Sequence, residues 1–292
     1  MISVSVIIPT YNSKYGDIVR TIDSVLCQTY KYLDVIVVDD GSDVPFSGID
    51  VLYEKENRIK WVKIGENRGV ANARNYGAEI SDSDFFAFID SGDWWGVRKI
   101  ENQINAIKKC GVCDVGMVYS YTVKNYKNGR KVRWVYDGND LPKTLSLYQC
   151  IPGSASSVMI PKKVFKSMGG FFSEYEIPED RDLWLRIASK YQVVSVNEFD
   201  VYLEIAPNSR SSDPVKKLKS YIRFIDKNIQ IISENVDVKK SIAETYYNIS
   251  KKYVIKRDWF GFFEYQIKSF VRHPSYYIYG IMPRIIREIK KL

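Results

Sequence analysis

Residues 33–42 have the sequence Leu-Asp-Val-Ile-Val-Val-Asp-Asp-Gly-Ser, an apolar run that ends in two acids and a glycine. A β-branched run of this length is typical of a strand buried in a parallel sheet, and its polar ending is a turn signal. Two other apolar runs have a similar form. Residues 2–8 alternate and then become apolar up to Pro9, and residues 85–89 stop at Asp90. The sequence therefore predicts three buried strands, each followed by a polar loop.

Segments with helical periodicity lie between these strands. Residues 17–27, 69–80 and 97–109 are predicted helices, and residues 60–64 form a further short strand. Alternating strands and helices indicate an α/β fold with a parallel sheet and crossover helices. Ligands of such sheets bind at the carboxyl ends of the strands. The polar loops are therefore expected to surround a ligand.

The rest of the chain is less regular at first and then helical. Residues 115–123 and 131–136 are a predicted strand pair around the hairpin signal Asn128-Gly129. A helix is expected over 180–189, and short strands over 192–196 and 200–205. After about residue 213 the pattern predicts successive helices over 214–233, 236–256, 258–271 and 281–291. We therefore expect a catalytic domain over residues 1–210 and a helical C-terminal region over 211–292.

Composition excludes several classes of protein. Hydrophobic residues make up 45% of the 292 residues, which argues against disorder. The first residues lack the basic and apolar regions of a signal peptide, and no apolar run approaches the ~18 residues of a membrane span. The sequence thus predicts a cytoplasmic protein that is not integral to a membrane. Its cysteines favour a reduced, structural role over a metal or redox role, because Cys110-x-x-Cys113 lacks a second ligand pair.

Two acidic clusters follow the second and third strands. Asp90 and Asp93 could share one Mg²⁺ or Mn²⁺, because these ions prefer oxygen ligands and substrate phosphates. A polar turn that caps the next helix is the alternative. Asp39-Asp40 could accept hydrogen bonds from a base or a ribose, or could simply be a turn with a helix cap.

A third acidic cluster, Glu179-Asp180-Arg181-Asp182, opens a predicted helix. Acids are favoured at a helix N-terminus by the helix dipole alone. A carboxylate at this position could also act as a general base toward a hydroxyl group, since the dipole keeps it ionised. Both interpretations are open from these residues alone.

Seven segments, taken together and in order, resemble glycosyltransferase family 2, whose members are inverting enzymes with the GT-A fold. The resemblance covers roughly residues 3–205 and is specific because the order of all seven segments agrees. The segments are Val4-Ser5-Val6-Ile7-Ile8-Pro9-Thr10-Tyr11-Asn12, Ser24-Val25-Leu26-Cys27-Gln28-Thr29-Tyr30, Ile36-Val37-Val38-Asp39-Asp40-Gly41-Ser42, Asn67-Arg68-Gly69-Val70-Ala71-Asn72-Ala73-Arg74-Asn75-Tyr76-Gly77, Phe88-Ile89-Asp90-Ser91-Gly92-Asp93-Trp94-Trp95, Gly169-Gly170-Phe171 and Pro178-Glu179-Asp180-Arg181-Asp182-Leu183-Trp184-Leu185-Arg186.

This resemblance implies a mixed, mostly parallel sheet flanked by helices, with a C-terminal helical extension. It implies transfer of a sugar from a nucleotide-sugar, UDP-linked, to an acceptor hydroxyl in cell-surface polysaccharide or glycoconjugate synthesis. It further implies that Asp93 and Asp90 hold a divalent metal, Mn²⁺ or Mg²⁺, and that Asp180 is the base, with Glu179 as the second candidate. The implied nucleotide-binding residues are Pro9, Thr10, Tyr11, Asp39, Asp40, Arg74, Asp90 and Ser91.

The chain departs from the family pattern at two places. Gly92 stands where many relatives have the middle acid of the metal motif, and the segment 202–206 has no histidine that could be a further ligand. We therefore expect a weakly held, readily exchanged metal.

Residues 251–292 carry most of the net charge of +8, with ten lysines and arginines against three acids, and also ten aromatic residues. Trp259-Phe260-Gly261-Phe262-Phe263, followed by Lys268 and Arg272, suits an amphipathic helix on an anionic membrane. A helical cap that packs its aromatics on the catalytic domain is an equally good interpretation. Nucleic-acid binding is disfavoured, because the segment has no recognition motif.

Two other functions compete with glycosyl transfer. A nucleotidyltransferase on a related sheet would need a Gly-rich, basic phosphate loop after the first strand, and Pro9-Thr10-Tyr11-Asn12 is not one. A non-catalytic nucleotide-sugar-binding protein would not be expected to keep Asp93 and Asp180. The donor sugar, acceptor, linkage and oligomeric state are not encoded in any motif of the sequence.

Overall fold

The computed structural model describes residues 1–44, 46, 49–111, 114–126, 129–136, 138–173, 178–205, 214–255 and 257–289. The chain packs as two compact units. The first comprises Met1–Asp137, Ile151–Glu174 and Arg186–Ala206, and the second comprises Gly138–Cys150, Tyr175–Leu185 and Pro207–Leu292. The predicted boundary after residue 210 lies outside the described residues.

The described part of the chain contains strands β1–β9 and helices α1–α13, together with a 3-10 turn at Ser154–Ser157 and a π-helical segment at Tyr277–Ile281. In chain order they are β1 (Val4–Thr10), α1 (Tyr15–Leu26), β2 (Leu33–Asp40), α2 (Ile49–Leu52), β3 (Ile59–Ile64), α3 (Val70–Glu79), β4 (Phe85–Phe88), β5 (Trp94–Trp95), α4 (Lys99–Cys110), β6 (Val115–Tyr126), β7 (Lys131–Trp134), α5 (Leu141–Leu147), β8 (Val158–Pro161), α6 (Lys162–Ser167), α7 (Glu179–Ala188), β9 (Gln192–Ile205), α8 (Pro214–Lys227), α9 (Ile229–Asn235), α10 (Val238–Ile255), α11 (Trp259–Arg272), α12 (Pro274–Tyr276) and α13 (Met282–Ile289).

The first unit is built on one mixed sheet with the strand order β3-β2-β1-β4-β8-β6-β9-β5, and β7 pairs with β6. Strands β3, β2, β1 and β4 are mutually parallel. Beyond β4 the sheet is mixed. Strand β8 pairs antiparallel with β4 and β6, β7 pairs antiparallel with β6, and β6 pairs parallel with β9. The α/β class and the mixed sheet flanked by helices are therefore confirmed. The parallel half brings the ends of β1, β2 and β4 to the same edge, as the sequence predicts.

Burial explains why these segments become strands and helices. All seven residues of β1 are buried, as are seven of the eight residues of β2. Helix α1 covers the sheet with Ile18, Ile22 and Val25, which share one face through their spacing of four and three residues. Fully burying side chains of this size is worth about 1.5–3 kcal/mol each, so this strip dominates the packing of α1.

Two details of the sheet differ from the sequence prediction. The predicted pair of strands at 192–196 and 200–205 is a single strand, β9, whose register against β6 shifts between Ser120 and Thr122. The irregularity falls where the sequence pattern suggested a gap, because a bulge interrupts alternation without ending the strand. The predicted hairpin at 115–136 is confirmed as β6 and β7.

The second unit is helical in its described residues. Its core includes Trp184, Phe224, Ile232 and Tyr247, each of them at most 1% exposed. The helix predicted over 214–233 is in fact two helices, α8 and α9, separated at Asn228. No helix in the described ranges combines the length and apolarity needed to cross a membrane.

Candidate active site

Asp39 is the penultimate residue of β2 and lies beside the end of β1, where it is the register partner of Thr10. Its carboxylate Oδ1 accepts a hydrogen bond from the Ser42 amide at 2.7 Å. The Ser42 hydroxyl in turn accepts from the Asn12 amide at 2.9 Å, which ties the loop after β1 to the loop after β2. The Ser42 amide is the one donor that the described residues offer to Asp39. The second carboxylate oxygen accepts no hydrogen bond from the described residues, and Asp39 is 1% exposed.

Asp40 has different surroundings. Its two carboxylate oxygens accept hydrogen bonds from the backbone amides of Arg68 (2.9 Å) and Gly69 (2.8 Å), the residues that lead into α3. Gly41 lets the loop come close to the same segment, since it has a φ of +76° and a Cβ there would lie 2.6 Å from the Asn67 backbone nitrogen. Asp40 therefore fixes the segment that leads into α3, and its nucleotide contact stays a prediction.

Ser156, from the 3-10 turn, holds the Asp90–Asp93 loop from within. Its hydroxyl accepts a hydrogen bond from the Asp90 amide at 3.0 Å and donates to Asp93 Oδ2 at 2.6 Å. The Ser156 carbonyl also accepts from the Trp95 indole at 2.8 Å. One serine thus fixes the spacing of the two acids, although it lies more than sixty residues away in sequence.

Helix α1 holds the same loop from the other side. The Thr21 hydroxyl accepts from the Gly92 amide at 2.9 Å and donates to the Asp93 carbonyl at 2.7 Å. Arg20 donates to the Gly92 carbonyl at 2.7 Å and pairs with Glu204 at 2.9 Å. Gly92 has a φ of +104°, which only glycine adopts readily. A residue other than glycine at position 92, such as the middle acid of the family motif, would therefore be unfavourable in this backbone.

Sequence reasoning missed Ser156, Arg20 and Thr21. Their contacts join residues that are more than sixty positions apart, and none of the three belongs to a motif. The sequence contains one local indication for Arg20 and Thr21: both are polar residues of α1 that lie shortly after the buried Ile18.

Asp93 carries the strongest electrostatic signal of the loop. Desolvation raises the pKa of Asp93 well above its usual 3.8, and the neighbouring Asp90 raises it further. Hydrogen bonds from Ser156 and from the Glu204 amide, and the charge of Arg20, oppose this rise in pKa. Burial and the nearby charge of Asp90 disfavour the ionised form of Asp93. A cation between the two acids would stabilise that form.

Arg74 supplies part of the positive charge at this edge. Its side chain is 4% exposed, and its guanidinium bonds Asp90 Oδ1 at 2.6 Å and lies 5.1 Å from the centre of the Phe171 ring. Arg74 therefore fixes one oxygen of Asp90. Its contact with a nucleotide or its phosphates stays a prediction.

These residues fit a divalent cation of the magnesium type. Such an ion needs only one or two carboxylates when substrate phosphates and water complete its coordination. Asp90 and Asp93 form such a pair, and the described residues contain no larger cluster of acids, histidines and cysteines. The Ser91 hydroxyl, between them, is buried and has no hydrogen-bond partner in the described part of the chain, so a polar ligand group would satisfy it.

The first turn of α7 carries the predicted base. Asp180 Oδ2 accepts from the Gln149 amide group at 3.1 Å, and Oδ1 accepts from the Arg181 amide at 2.6 Å. Arg181 is buried against Phe224 with 4.3 Å to the ring centre, and burial lowers its pKa to about 10. Glu179 and Asp182 are buried, whereas Asp180 is half-buried. Of the three acids Asp180 is thus the one most accessible to a substrate.

The other predicted nucleotide residues lie at the end of β1 and directly after it. Pro9 and Thr10 are buried at its end, and Tyr11 is half-buried just beyond it. Thr10 donates a hydrogen bond to the Ser13 hydroxyl at 2.8 Å. They lie at the edge occupied by Asp39, and their contacts with a nucleotide stay predictions.

The model of the family described as "Glycosyl transferase family 2" matches residues 5–169 of this chain. The match includes β1, β2 and the Asp90–Asp93 loop, and it covers more than half of the chain. The chain belongs to glycosyl transferase family 2. The predicted family, and with it the assignment to the transferase class of enzymes, is thereby confirmed.

Individual relatives agree with this family. The chain is 30% identical over 217 residues to the UDP-Glc:alpha-D-GlcNAc-diphosphoundecaprenol beta-1,3-glucosyltransferase WfaP of Escherichia coli, with 74% of this chain and 82% of that protein covered. It is 32% identical over 197 residues to an uncharacterized glycosyltransferase of Rickettsia typhi, covering 64% of this chain. The chain spans 60% of the length of the Rickettsia protein.

Solved structures share the fold of this family 2 member. Staphylococcus aureus TarS 1-349 superposes with a TM-score of 0.63 at 15% identity, over 94% of this chain and 93% of that one. The mannosyltransferase PcManGT of Pyrobaculum calidifontis, solved with GDP-Man and Mn²⁺, gives a TM-score of 0.59 at 19% identity, over 86% and 74%. The predicted glycosyltransferase fold is therefore confirmed.

Proposed function

We propose that this chain transfers a sugar from a UDP-linked donor to an acceptor hydroxyl, with inversion at the anomeric carbon. The observation that carries the proposal is the edge of the parallel strands, where Asp39 near the end of β2 and the Asp90–Asp93 loop after β4 lie on either side of β1. Recognition of a nucleotide-sugar requires two groups. One is a hydrogen-bond acceptor for the base, and the other is a pair of acids for a metal ion bound to the diphosphate. The name of the E. coli relative and a TarS complex with UDP-GlcNAc support a UDP donor.

In this proposal the loop after β1 and the end of β2 bind the nucleoside. Pro9, Thr10 and Tyr11 line its pocket, with Tyr11 against the base. The free oxygen of Asp39 accepts a base N–H, while its other oxygen remains bound to Ser42. The Ser91 hydroxyl, which has no hydrogen-bond partner in the described residues, donates a hydrogen bond to the ligand.

Asp93 and Asp90 would hold Mn²⁺ or Mg²⁺, and the ion would offset the negative charge that develops on the departing diphosphate. Ser156 and Thr21 keep the two acids in place. Arg74 orients Asp90 through one oxygen and leaves the other free. The manganese in the PcManGT complex supports this choice of ion. With two carboxylates only, the site would bind it weakly.

Asp180 is the proposed general base. The acceptor oxygen forms a bond to the anomeric carbon while the bond from that carbon to the diphosphate oxygen breaks. The hydroxyl proton passes to the Asp180 carboxylate, and UDP leaves with the bonding electron pair. The half-buried position of Asp180 favours it over Glu179, which stays the second candidate.

The proposed acceptor is a saccharide on a lipid carrier, as used in cell-surface polysaccharide synthesis. The support is the name of the E. coli relative, whose acceptor is a diphosphoundecaprenol-linked sugar. The basic, aromatic residues 251–292 would bring the enzyme to the inner face of the cell membrane, where such an acceptor is found.

Release of UDP from candidate UDP-sugars, with a lipid-linked saccharide as acceptor, tests the proposal. Asp180→Ala should lower turnover at least about 100-fold, the usual contribution of a general base. Asp226→Asn, which alters an exposed acid on α8 in the same unit, is the matched control and should keep full turnover. Unchanged turnover in Asp180→Ala would exclude this residue as the base.

The same assay separates the alternatives. Release of pyrophosphate from a nucleoside triphosphate would identify a nucleotidyltransferase. Binding of UDP-sugars, seen as a rise in melting temperature, without turnover on any acceptor would identify a binding protein.

A further inference from the structure

Helix α11 presents an apolar surface to solvent. Phe260 is 82% exposed, Val271 70% and Ile267 62%. These side chains recur at intervals of three and four residues, so they share one side of the helix. We refer to this surface as the α11 outer face; it consists of Trp259, Phe260, Phe263, Ile267, Phe270 and Val271.

The buried side of α11 consists of Gly261, Tyr265, Gln266 and Ser269, and the Tyr265 ring stacks on Tyr253. Gln266 donates to the Ser250 hydroxyl at 2.9 Å, and Ser269 donates to the Ala243 carbonyl at 2.7 Å, both on α10. Gly261 packs so closely on Tyr253 that a Cβ would lie 2.3 Å from its ring. The exposed face of α11 therefore carries more large apolar side chains than its buried side. Small residues and buried hydrogen bonds between helices, with apolar residues outside, are typical of helices whose surroundings are lipid.

A charged stripe borders the outer face. Glu264, Lys268 and Arg272 are four residues apart and adjoin the apolar residues on one side, and Glu264 pairs with Lys268. Arg272 is exposed at the end of the helix, and Arg257 is exposed just before its beginning. Asp258, the exposed N-cap of the helix, offsets the charge of Arg257, so Arg272 carries the net positive charge of this stripe, which complements an anionic surface.

We infer that the α11 outer face inserts into the boundary between headgroups and acyl chains of an anionic bilayer, with Lys268 and Arg272 at the level of the lipid phosphates. A helix of 14 residues is about 21 Å long, which is shorter than the ~30 Å hydrocarbon core, so α11 lies in the plane of the membrane. The attachment depends mainly on apolar insertion and less on the lysines and arginines of the segment. The inference rests on the membrane attachment given in the proposed function, but its test does not depend on glycosyl transfer.

Vesicle binding by the full chain, measured without any sugar nucleotide, tests this inference. Wild type should sediment with phosphatidylcholine vesicles that contain phosphatidylglycerol, and part of the binding should persist at high salt. Phe260→Gln/Ile267→Gln should lower the partition coefficient about tenfold or more, because two inserted side chains are lost. Ile229→Gln, which changes an apolar residue of the same unit that is 50% exposed, should leave binding unchanged.

Tryptophan quenching by brominated lipids gives a second readout that does not depend on folding of the double variant. Trp259 lies on the outer face and should be quenched, and Trp259→Phe should remove most of the lipid-dependent signal. Three outcomes would overturn the inference. They are the absence of wild-type binding to anionic vesicles, equal binding of the double variant, and an oligomer that the double variant disperses while vesicle binding stays the same.

Discussion

At the scale of single residues, the adjacent acids Asp39 and Asp40 illustrate how hydrogen bonds separate a ligand group from a structural one. Asp40 has a backbone amide on each of its oxygens, whereas Asp39 accepts a single amide from the described residues. Both ended the same apolar strand in the sequence, and both were candidates for the nucleotide. Substitutions of Asp39 and Asp40 are therefore expected to have different effects on binding and on stability.

Asp39→Asn should weaken UDP binding about tenfold or more while keeping most of the stability. The asparagine oxygen can still accept from Ser42, but its amide group would face the donor of the base. Asp40→Asn should lower the free energy of unfolding by about 1–3 kcal/mol, because its amide group must face the amide of Arg68 or Gly69. Calorimetric titration with UDP and chemical denaturation measure the two effects. Equal loss of affinity and equal stability in both variants would contradict the distinction.

The metal role of Asp93 leads to a second prediction. Addition of Mn²⁺ together with UDP should raise the melting temperature of wild type, since ligands that bind the native state stabilise it, and EDTA should reverse the rise. Asp93→Asn should lose the part of the rise that depends on Mn²⁺. Asp50→Asn, at an exposed acid of α2, is the control and should behave as wild type. A full Mn²⁺-dependent rise in Asp93→Asn would show that the ion binds elsewhere.

The site residues that sequence reasoning identified are local in the chain. Asp39, Asp90 and Asp93 directly follow apolar strands, so the pattern of the strand reveals them. Ser156 could not be predicted, because its role depends on a hydrogen bond across 63 residues that only the folded sheet creates. The same reason applies to Arg20, which reaches the loop at Gly92.

At the scale of elements, α4 contains an ionisable group in an apolar setting. Lys99 is fully buried, and its amino group lies 3.8 Å from the centre of the Trp95 ring with no hydrogen-bond partner in the described residues. Burial holds the pKa of Lys99 well below its usual 10.5, while the charge of Asp200 acts in the opposite direction. Helix α4 therefore begins with a side chain that lowers the stability of the fold at neutral pH.

Lys99→Met should raise the free energy of unfolding by about 1–3 kcal/mol at neutral pH, since an apolar side chain of similar length replaces a buried charge. The folded pKa lies below the unfolded one, so the unfolded chain binds more protons between the two values. Wild type therefore gains stability as pH rises through that window toward 10.5, and the advantage of methionine should shrink.

Denaturation at several pH values measures this difference, with the exposed Lys108→Met on the same helix as the control. A gap between wild type and Lys99→Met that stays constant from neutral pH to about 10 would contradict the assignment.

Elements were predictable where a long pattern determined them. The apolar strands β1, β2 and β4 and the amphipathic α1 lie within a few residues of the predicted positions. The two-residue strand β5 and the seven-residue helix α5 were not predicted, since segments this short depend on tertiary partners. Strand β5 exists because its two tryptophans pair with Tyr202 and Val201 of β9.

At the scale of the whole molecule, the two compact units divide the predicted roles. The acids for the nucleotide and the metal belong to the first unit, and Asp180 belongs to the second. The second unit has its own buried ionic centre. Glu244 is 1% exposed and accepts hydrogen bonds from Arg284 at 3.0 and 2.6 Å, from Tyr276 at 2.9 Å and from Asn248 at 3.2 Å.

Glu244→Gln should destabilise the second unit by about 1–3 kcal/mol, because the guanidinium of Arg284, whose side chain is 33% exposed, loses its counter-charge. Hydrogen exchange in α10 and α13 should become faster. UDP affinity should stay within about twofold of wild type, since the predicted nucleotide residues belong to the first unit. Glycosyl transfer should decrease, because α7, which carries Asp180, becomes less ordered. Glu234→Gln, at an exposed acid of α9, should change none of these quantities. A loss of UDP affinity that parallels the loss of exchange protection would mean that the two units do not divide the roles in this way.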